Sequence, residues 1–258
     1  MLQSQLEAPI YNRLIDRWVG QGELSYELYL KTRELLALQN RSDDLVTHDE
    51  LMFQVVHQTQ ELWLKLLAHE SVELVRRIDS DELCEAGTTL ERMVRVALAM
   101  KTDIRVLDTL LPQRFLTIRR HLGDGSGQQS PGFNQLILAA TAILEALQRL
   151  LSRRTLDLQQ VYAEQSPHSE LQRLCEQLVD LDEAYQQWLV AHFHLVRRTM
   201  GVDRKVRALD GLPSRVLLGR MTKPLFEALW EVRVAMTQDW SPGGGHAPGM
   251  PRRSREAD

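Results

Sequence analysis

The sequence predicts an all-α fold: a bundle of long helices forming one domain over residues 1–240, followed by a disordered tail over 241–258. Three observations carry this. Apolar residues recur at spacings of three and four over long stretches, which is the period of one helix face. No stretch alternates with period two for long enough to make a strand. Glycine is scarce within these stretches and clusters between them, in GDGSGQQSPG (123–132) and SPGGGHAPGMP (241–251), where it marks loops.

The elements follow in order. A short helix fits Tyr26–Gln39. Thr47, with Glu50 three positions later, reads as a capping box. The helix it opens runs through HDELMFQVVHQTQELWLKLLAHESVELVRRI without a glycine or proline. A second helix runs from about Asp81 to Leu111 and stops at Pro112, and a third from about Phe133 past Arg154. A fourth opens near Ser169, after Pro167, and stops at Gly201. A last short helix fits Pro224–Met236. The tail, ending in RRSREAD, has no apolar period and cannot bury a core face.

Composition narrows the function. The chain has 258 residues, 43% hydrophobic and 26% charged, enough for a sizeable core. Its net charge of −4 is the wrong sign for a surface that tracks phosphates, so no nucleic-acid partner is expected. The N-terminal MLQSQLEAPIYNRL has no basic segment followed by an apolar core, so no secretory leader is expected. The most apolar run, Leu136–Leu144, is too short to span a bilayer, so no membrane partner is expected. Cys84 and Cys175 fit no disulfide scaffold and no C-x-x-C motif, and read as reduced thiols of a cytoplasmic protein.

Polar residues that interrupt the apolar stripes are the candidates for chemistry. Spacings of three and four from Leu171 give Leu174, Leu178, Leu181, Tyr185, Trp188, His192, Leu195 and Thr199. His192 therefore faces the bundle interior, where an unpaired imidazole is costly. Its partner is either a hydrogen bond to another helix or a metal such as haem iron. Phe53, His57, Leu64 and Leu67 share a face of the helix from Thr47, which makes His57 a second inward histidine. His48 and His69 are flanked by charges and read as surface residues. His194 is two positions from His192 and lies on another face.

The motifs of most metal sites are missing. No histidine has a glutamate three positions before it, as a helical di-iron site requires. H-E-x-x-H, C-x-x-C-H, G-x-S-x-G and a Walker loop do not occur. A site with one protein ligand to iron and a second, non-ligating histidine remains, which suits a non-covalent haem with one open face. The Arg119–Arg120 pair reads either as solvated surface or as a carboxylate clamp. Arg119 is four positions after Phe115, so the two share a helix face.

These residues resemble the tryptophan 2,3-dioxygenase family. The resemblance covers most of residues 8–236 and is strongest in HDELMFQVVHQTQELWLKLLAHE, with its run H-D-E-x-x-F-x-x-x-H-Q-T-x-E-L-W. It implies a haem-binding oxygenase domain carrying one non-covalent haem b per subunit, with O2 as co-substrate, and a homotetramer or dimer of dimers. It also implies roles for individual residues. Phe53 and His57 match the distal-pocket phenylalanine and histidine. Arg119 matches the arginine that holds the substrate carboxylate, and Ser126 the serine beside the haem. His192 matches the axial ligand to the haem iron, by its spacing to Gly201 in HFHLVRRTMG. Tyr26, Tyr29 and Leu30 match a segment that reaches a neighbouring subunit's active site.

The departures from the family pattern are specific. Phe115 stands where the family has tyrosine, and so does His121. The family's threonine loop is replaced by VDRKVRALDGLPS. The implied activity is oxygenation of L-tryptophan or a substituted tryptophan at indole C2–C3, giving an N-formylkynurenine-type product, with His57 in the catalytic pocket. The alternative is a haem-dependent mono-oxygenase or peroxygenase giving an oxindole or a hydroxylated aromatic amino acid. A helical haem sensor is a third reading, disfavoured because it needs no Arg119 beside an aromatic pocket.

Overall fold

The short helices α1 (Ser25–Leu30) and α2 (Thr32–Leu35) lead into α3 (Asp49–Asp79), the first long helix of a computed structural model that describes residues 24–203, 219 and 223–239. Then come α4 (Leu83–Ile104), α5 (Pro112–Arg119), α6 (Pro131–Arg153), α7 (Leu158–Val161), α8 (Ser169–Thr199) and α9 (Glu227–Asp239). The described residues contain no strand, as the sequence predicts. The tail 241–258 and most of VDRKVRALDGLPS lie outside the described residues.

Boundaries differ from expectation where local chemistry decides them. The expected helix over 26–39 is interrupted at Lys31, whose left-handed φ of 52° breaks the helical backbone. After Leu36 the chain is held by side chains of α3. Gln54 Oε1 accepts from the Asn40 amide at 2.8 Å, and Gln58 Nε2 donates to the Leu38 carbonyl at 3.3 Å. The capping box at Thr47 is displaced. Thr47 Oγ1 accepts from the Asp49 amide at 3.4 Å, while Glu50 Oε2 reaches past Thr47 to the Val46 amide at 2.7 Å.

The second expected helix ends at Ile104 and tightens into a 3₁₀ turn, Arg105–Thr109. Leu111 is extended, as a residue before proline must be, and Pro112 opens α5. Ser130 caps α6, accepting from the Phe133 amide at 3.2 Å, so that helix starts two residues before Phe133. Leu136–Leu144 is the middle of this 23-residue helix, which is long and apolar enough to cross a bilayer by length and composition alone. Here its buried face, with Ile143, Leu147 and Leu150, packs on α3. Gly201 ends α8 as expected, with φ 76° and its amide donating to the Arg197 carbonyl at 3.1 Å.

Helix α3 is flanked by α4 and α6, and α8 packs along α4. Leu64, Leu67, Leu74, Leu90, Met93, Leu147, Leu171 and Leu178 fill the space between them. Each such side chain contributes roughly 1.5–3 kcal/mol on burial. Two polar contacts set the arrangement around the site. Buried Asp182 on α8 accepts from the Phe226 amide at 3.1 Å and from Trp230 Nε1 at 2.9 Å, docking the start of α9. At Gly132 a Cβ would lie 2.5 Å from the Leu64 Cβ, so only glycine lets the start of α6 approach α3 this closely. That approach brings the 123–130 loop alongside the upper half of α3.

Candidate active site

One cavity of about 620 Å³ opens between α3, the 3₁₀ turn, α5, the 123–130 loop and α8. Its volume falls in the range of small-molecule sites, roughly 300–1,000 Å³. Leu107, Leu110, Leu122, Phe133, Leu189 and Leu195 give it an apolar wall. Into it face Phe53, His57, Phe115, Arg119, Ser126 and His192. Six sequence-expected residues, from four separate elements, thus share one chamber. Tyr26, Tyr29 and Leu30 do not join them. They are 70%, 87% and 44% exposed on the single chain, away from the cavity lining.

The aromatic wall is built on α3 and α5. Phe53 and His57, one turn apart, have ring centroids 4.1 Å apart, and Phe115 lies 6.3 Å from Phe53. His57 Nδ1 is 2.7 Å from the Phe53 carbonyl oxygen. A carbonyl only accepts, so that nitrogen carries the proton and Nε2 keeps a lone pair. Burial lowers the His57 pKa, opposed by this bond and by nearby Glu61. The ring is therefore neutral at pH 7, with Nε2 an acceptor.

His192 lies on the α8 wall. Burial, with repulsion from His57 once both rings are protonated, pushes its pKa down to about 4, so it too is neutral at pH 7. Its Nδ1 is buried without a protein partner. The ring is stacked on Trp188, 5.1 Å between centroids and 7° between planes, and Trp188 stacks on Phe133 at 4.2 Å. A neutral, rigidly held imidazole on an apolar wall has the state that an iron ligand requires. No group of three or more His, Cys, Asp or Glu able to hold a bare metal ion occurs among the described residues. The donor set thus fits a cofactor that brings its own equatorial ligands, and a neutral imidazole on the wall of an apolar chamber fits a haem.

Arg119 is the last residue of α5, and its half-buried side chain lines the cavity, whereas Arg120 is exposed. Ser126 accepts from the Gln128 amide at 3.2 Å, fixing the loop's 3₁₀ turn. His121, at a family tyrosine position, is exposed and its Nδ1 lies 3.0 Å from the Thr117 carbonyl. His48 and His69 are on the surface as expected, and His194 is exposed with its ring edge-on to Phe193.

The sequence reading passed over several lining residues. Leu35 and Leu38 close one side of the cavity. Glu61 accepts from Ser130 Oγ and from the Gly132 amide, holding the loop and the start of α6 against α3. Gln60 sits in the same stripe as His57 and Leu64, at spacings of three and four. That spacing is a signal present in the sequence.

Residues 16–141 match the family model for tryptophan 2,3-dioxygenase. A tryptophan 2,3-dioxygenase of Anaeromyxobacter dehalogenans is 30% identical over 270 aligned positions, covering 86% of this chain and the whole of that relative. The chain belongs to the tryptophan 2,3-dioxygenase family. Relatives of the same name from Herpetosiphon aurantiacus and Erythrobacter litoralis are each 28% identical, over 81% and 83% of this chain and 97% and 99% of their own. The chain is thus an oxidoreductase of tryptophan 2,3-dioxygenase type. Phe53, His57, Phe115, Arg119 and Ser126 lie inside the stretch that matches the family model, and His192 lies outside it.

Proposed function

We propose that the cavity holds one haem b, which His192 would bind through iron, and oxygenates L-tryptophan or a substituted tryptophan. The observation that carries this is the pairing of two neutral, inward histidines with one arginine in a single apolar chamber. Ser126, on the loop that lines the cavity, would lie beside the haem. When bound, the haem supplies the reaction with O2.

The chain's own residues supply orientation. Arg119 holds the substrate carboxylate, a charge-assisted contact at the cavity edge. Phe53 and Phe115 pack the indole. His57 accepts the indole N–H through Nε2, because its Nδ1 proton is already committed to Phe53. His57 is thus a catalytic-pocket residue that orients the substrate, and it need not remove a proton. The apolar wall excludes water, which strengthens these contacts. Insertion of both oxygen atoms with cleavage of C2–C3 gives an N-formylkynurenine-type product.

The active form is a cytoplasmic homotetramer or dimer of dimers. In it Tyr26, Tyr29 and Leu30 pack on another chain near its active site. Their exposure on the single chain supports this, since large apolar groups rarely cluster on a free surface.

The test is the mass of the product formed from L-tryptophan and O2 by the reduced, haem-loaded protein. Dioxygenation adds 32 mass units. An exclusive gain of 16 would instead support the mono-oxygenase or peroxygenase reading, which the replacement of the threonine loop by VDRKVRALDGLPS favours.

A further inference from the structure

Gln60 of α3 is 3% exposed and joins three long helices at the level of the site. Its Nε2 donates to the Met100 carbonyl on α4 at 3.1 Å, and its Oε1 accepts from Trp188 Nε1 on α8 at 2.9 Å. The direction of this amide is fixed by its partners. A backbone carbonyl only accepts and an indole N–H only donates, so flipping the amide would break both bonds. The indole it holds lies 7° from parallel to the His192 imidazole, one turn further along α8. The indole is also stacked against Phe133, 4.2 Å between centroids. Trp188 is therefore restrained in its plane by Gln60 and across its plane by Phe133.

We infer that Gln60 is a positioning residue for His192, acting through the Trp188 indole. The inference rests on His192 being the iron ligand. His192 Nδ1 has no protein partner, so no side chain or backbone carbonyl orients this imidazole by a hydrogen bond. Stacking on a hydrogen-bonded indole takes its place. The anchor for the ligand then lies on α3, the helix that also carries Phe53 and His57, so both sides of the pocket are referred to one element.

The test uses Gln60→Met, which keeps the side-chain volume and loses both bonds, and Trp188→Phe, which keeps a stacked ring and loses the donor. The readouts are haem dissociation to an excess of a tighter haem-binding protein, and the ferric spin-state spectrum. Each variant should release haem faster, by roughly 10-fold or more, the usual effect of losing an outer-shell partner. Each should also shift the spin-state signal. The double variant should be no worse than the more affected single one, because both remove the same contact. Melting of the haem-free proteins separates this from general loosening.

Wild-type rates and spectra in Gln60→Met would overturn the inference, and so would additive effects in the double variant. Should Gln60→Met fail to fold, an unchanged Trp188→Phe would still overturn it. A wild-type chain that binds no haem would overturn the ligand assignment and this inference together. Haem lost in His192→Ala, with Gln60→Met like wild type, would overturn only this inference.

Discussion

The Phe53 carbonyl oxygen and His57 Nδ1 lie 2.7 Å apart, one turn of α3 from each other. This contact chooses the tautomer of His57 and so makes its other nitrogen a hydrogen-bond acceptor. With its one N–H committed to Phe53, the neutral His57 has no proton to offer an oxygen in the cavity, but it can receive an indole N–H. 1-Methyltryptophan, which lacks that N–H, should therefore bind more weakly. The loss should be up to about 10-fold, given roughly 0.5–1.5 kcal/mol for one hydrogen bond. In His57→Phe the methyl group should make no difference. Equal losses in wild type and variant would show that the N–H is satisfied elsewhere.

Arg119 and Arg120 are adjacent in sequence but differ in environment, one lining the cavity and the other exposed. Arg119→Leu should raise KM by on the order of 10²-fold, since losing one partner of a charge pair costs roughly 2–5 kcal/mol. Haem content should stay normal, and Arg120→Leu should change little. Tryptamine has no carboxylate and should bind poorly to wild type yet be indifferent to Arg119→Leu. If tryptamine and tryptophan lost equally on that substitution, the clamp would be another residue.

Much of this was legible in the sequence. The four long helices follow from apolar spacing, and Gly201 and Pro112 mark real boundaries. The inward histidines were legible because each occupies a position in an otherwise apolar stripe. The break at Lys31 was not, because lysine carries no preference for a left-handed backbone and no glycine or asparagine marks its φ of 52°. Gln60 and Asp182 were missed for a related reason. A single polar residue in a stripe has no meaning until its partner is known, and their partners are 128 and 44 residues away.

Gly132 tests the packing that brings the loop to the cavity. In Gly132→Ala the new methyl would meet Leu64 Cβ, next to the α3 backbone, at 2.5 Å, and Glu61 Oε2, held by Ser130 and the Gly132 amide, at 2.8 Å. Overpacking of this kind costs roughly 1–3 kcal/mol. Urea unfolding of Gly132→Ala should show that loss, and a variant as stable as wild type would mean the helices part easily here.

Acid should destabilise the haem-free chain through His192. Its folded pKa is about 4 against an ordinary 6.5, so the unfolded chain binds the extra proton between these values. Stability from this group is complete above about pH 6.5 and is lost as pH falls towards about 4. At about 1.4 kcal/mol per pKa unit the loss approaches roughly 3 kcal/mol. His192→Leu should flatten this part of the stability profile, as measured by urea unfolding at several pH values. A variant as acid-sensitive as wild type would contradict the buried neutral state.

Tyr26, Tyr29 and Leu30 should be covered by another chain in solution. Sedimentation at micromolar concentration should give an oligomer, and Tyr29→Arg should shift it towards smaller species. A fully active monomer would rule out their contribution across a subunit boundary.

The most direct measurement is haem titration of the wild-type chain beside His192→Ala and His57→Ala, followed by the Soret band. One haem should bind per wild-type chain, binding should be lost or severely weakened in His192→Ala with the helical content intact, and His57→Ala should retain haem. Full occupancy and an unchanged spectrum in His192→Ala would contradict His192 as the iron ligand.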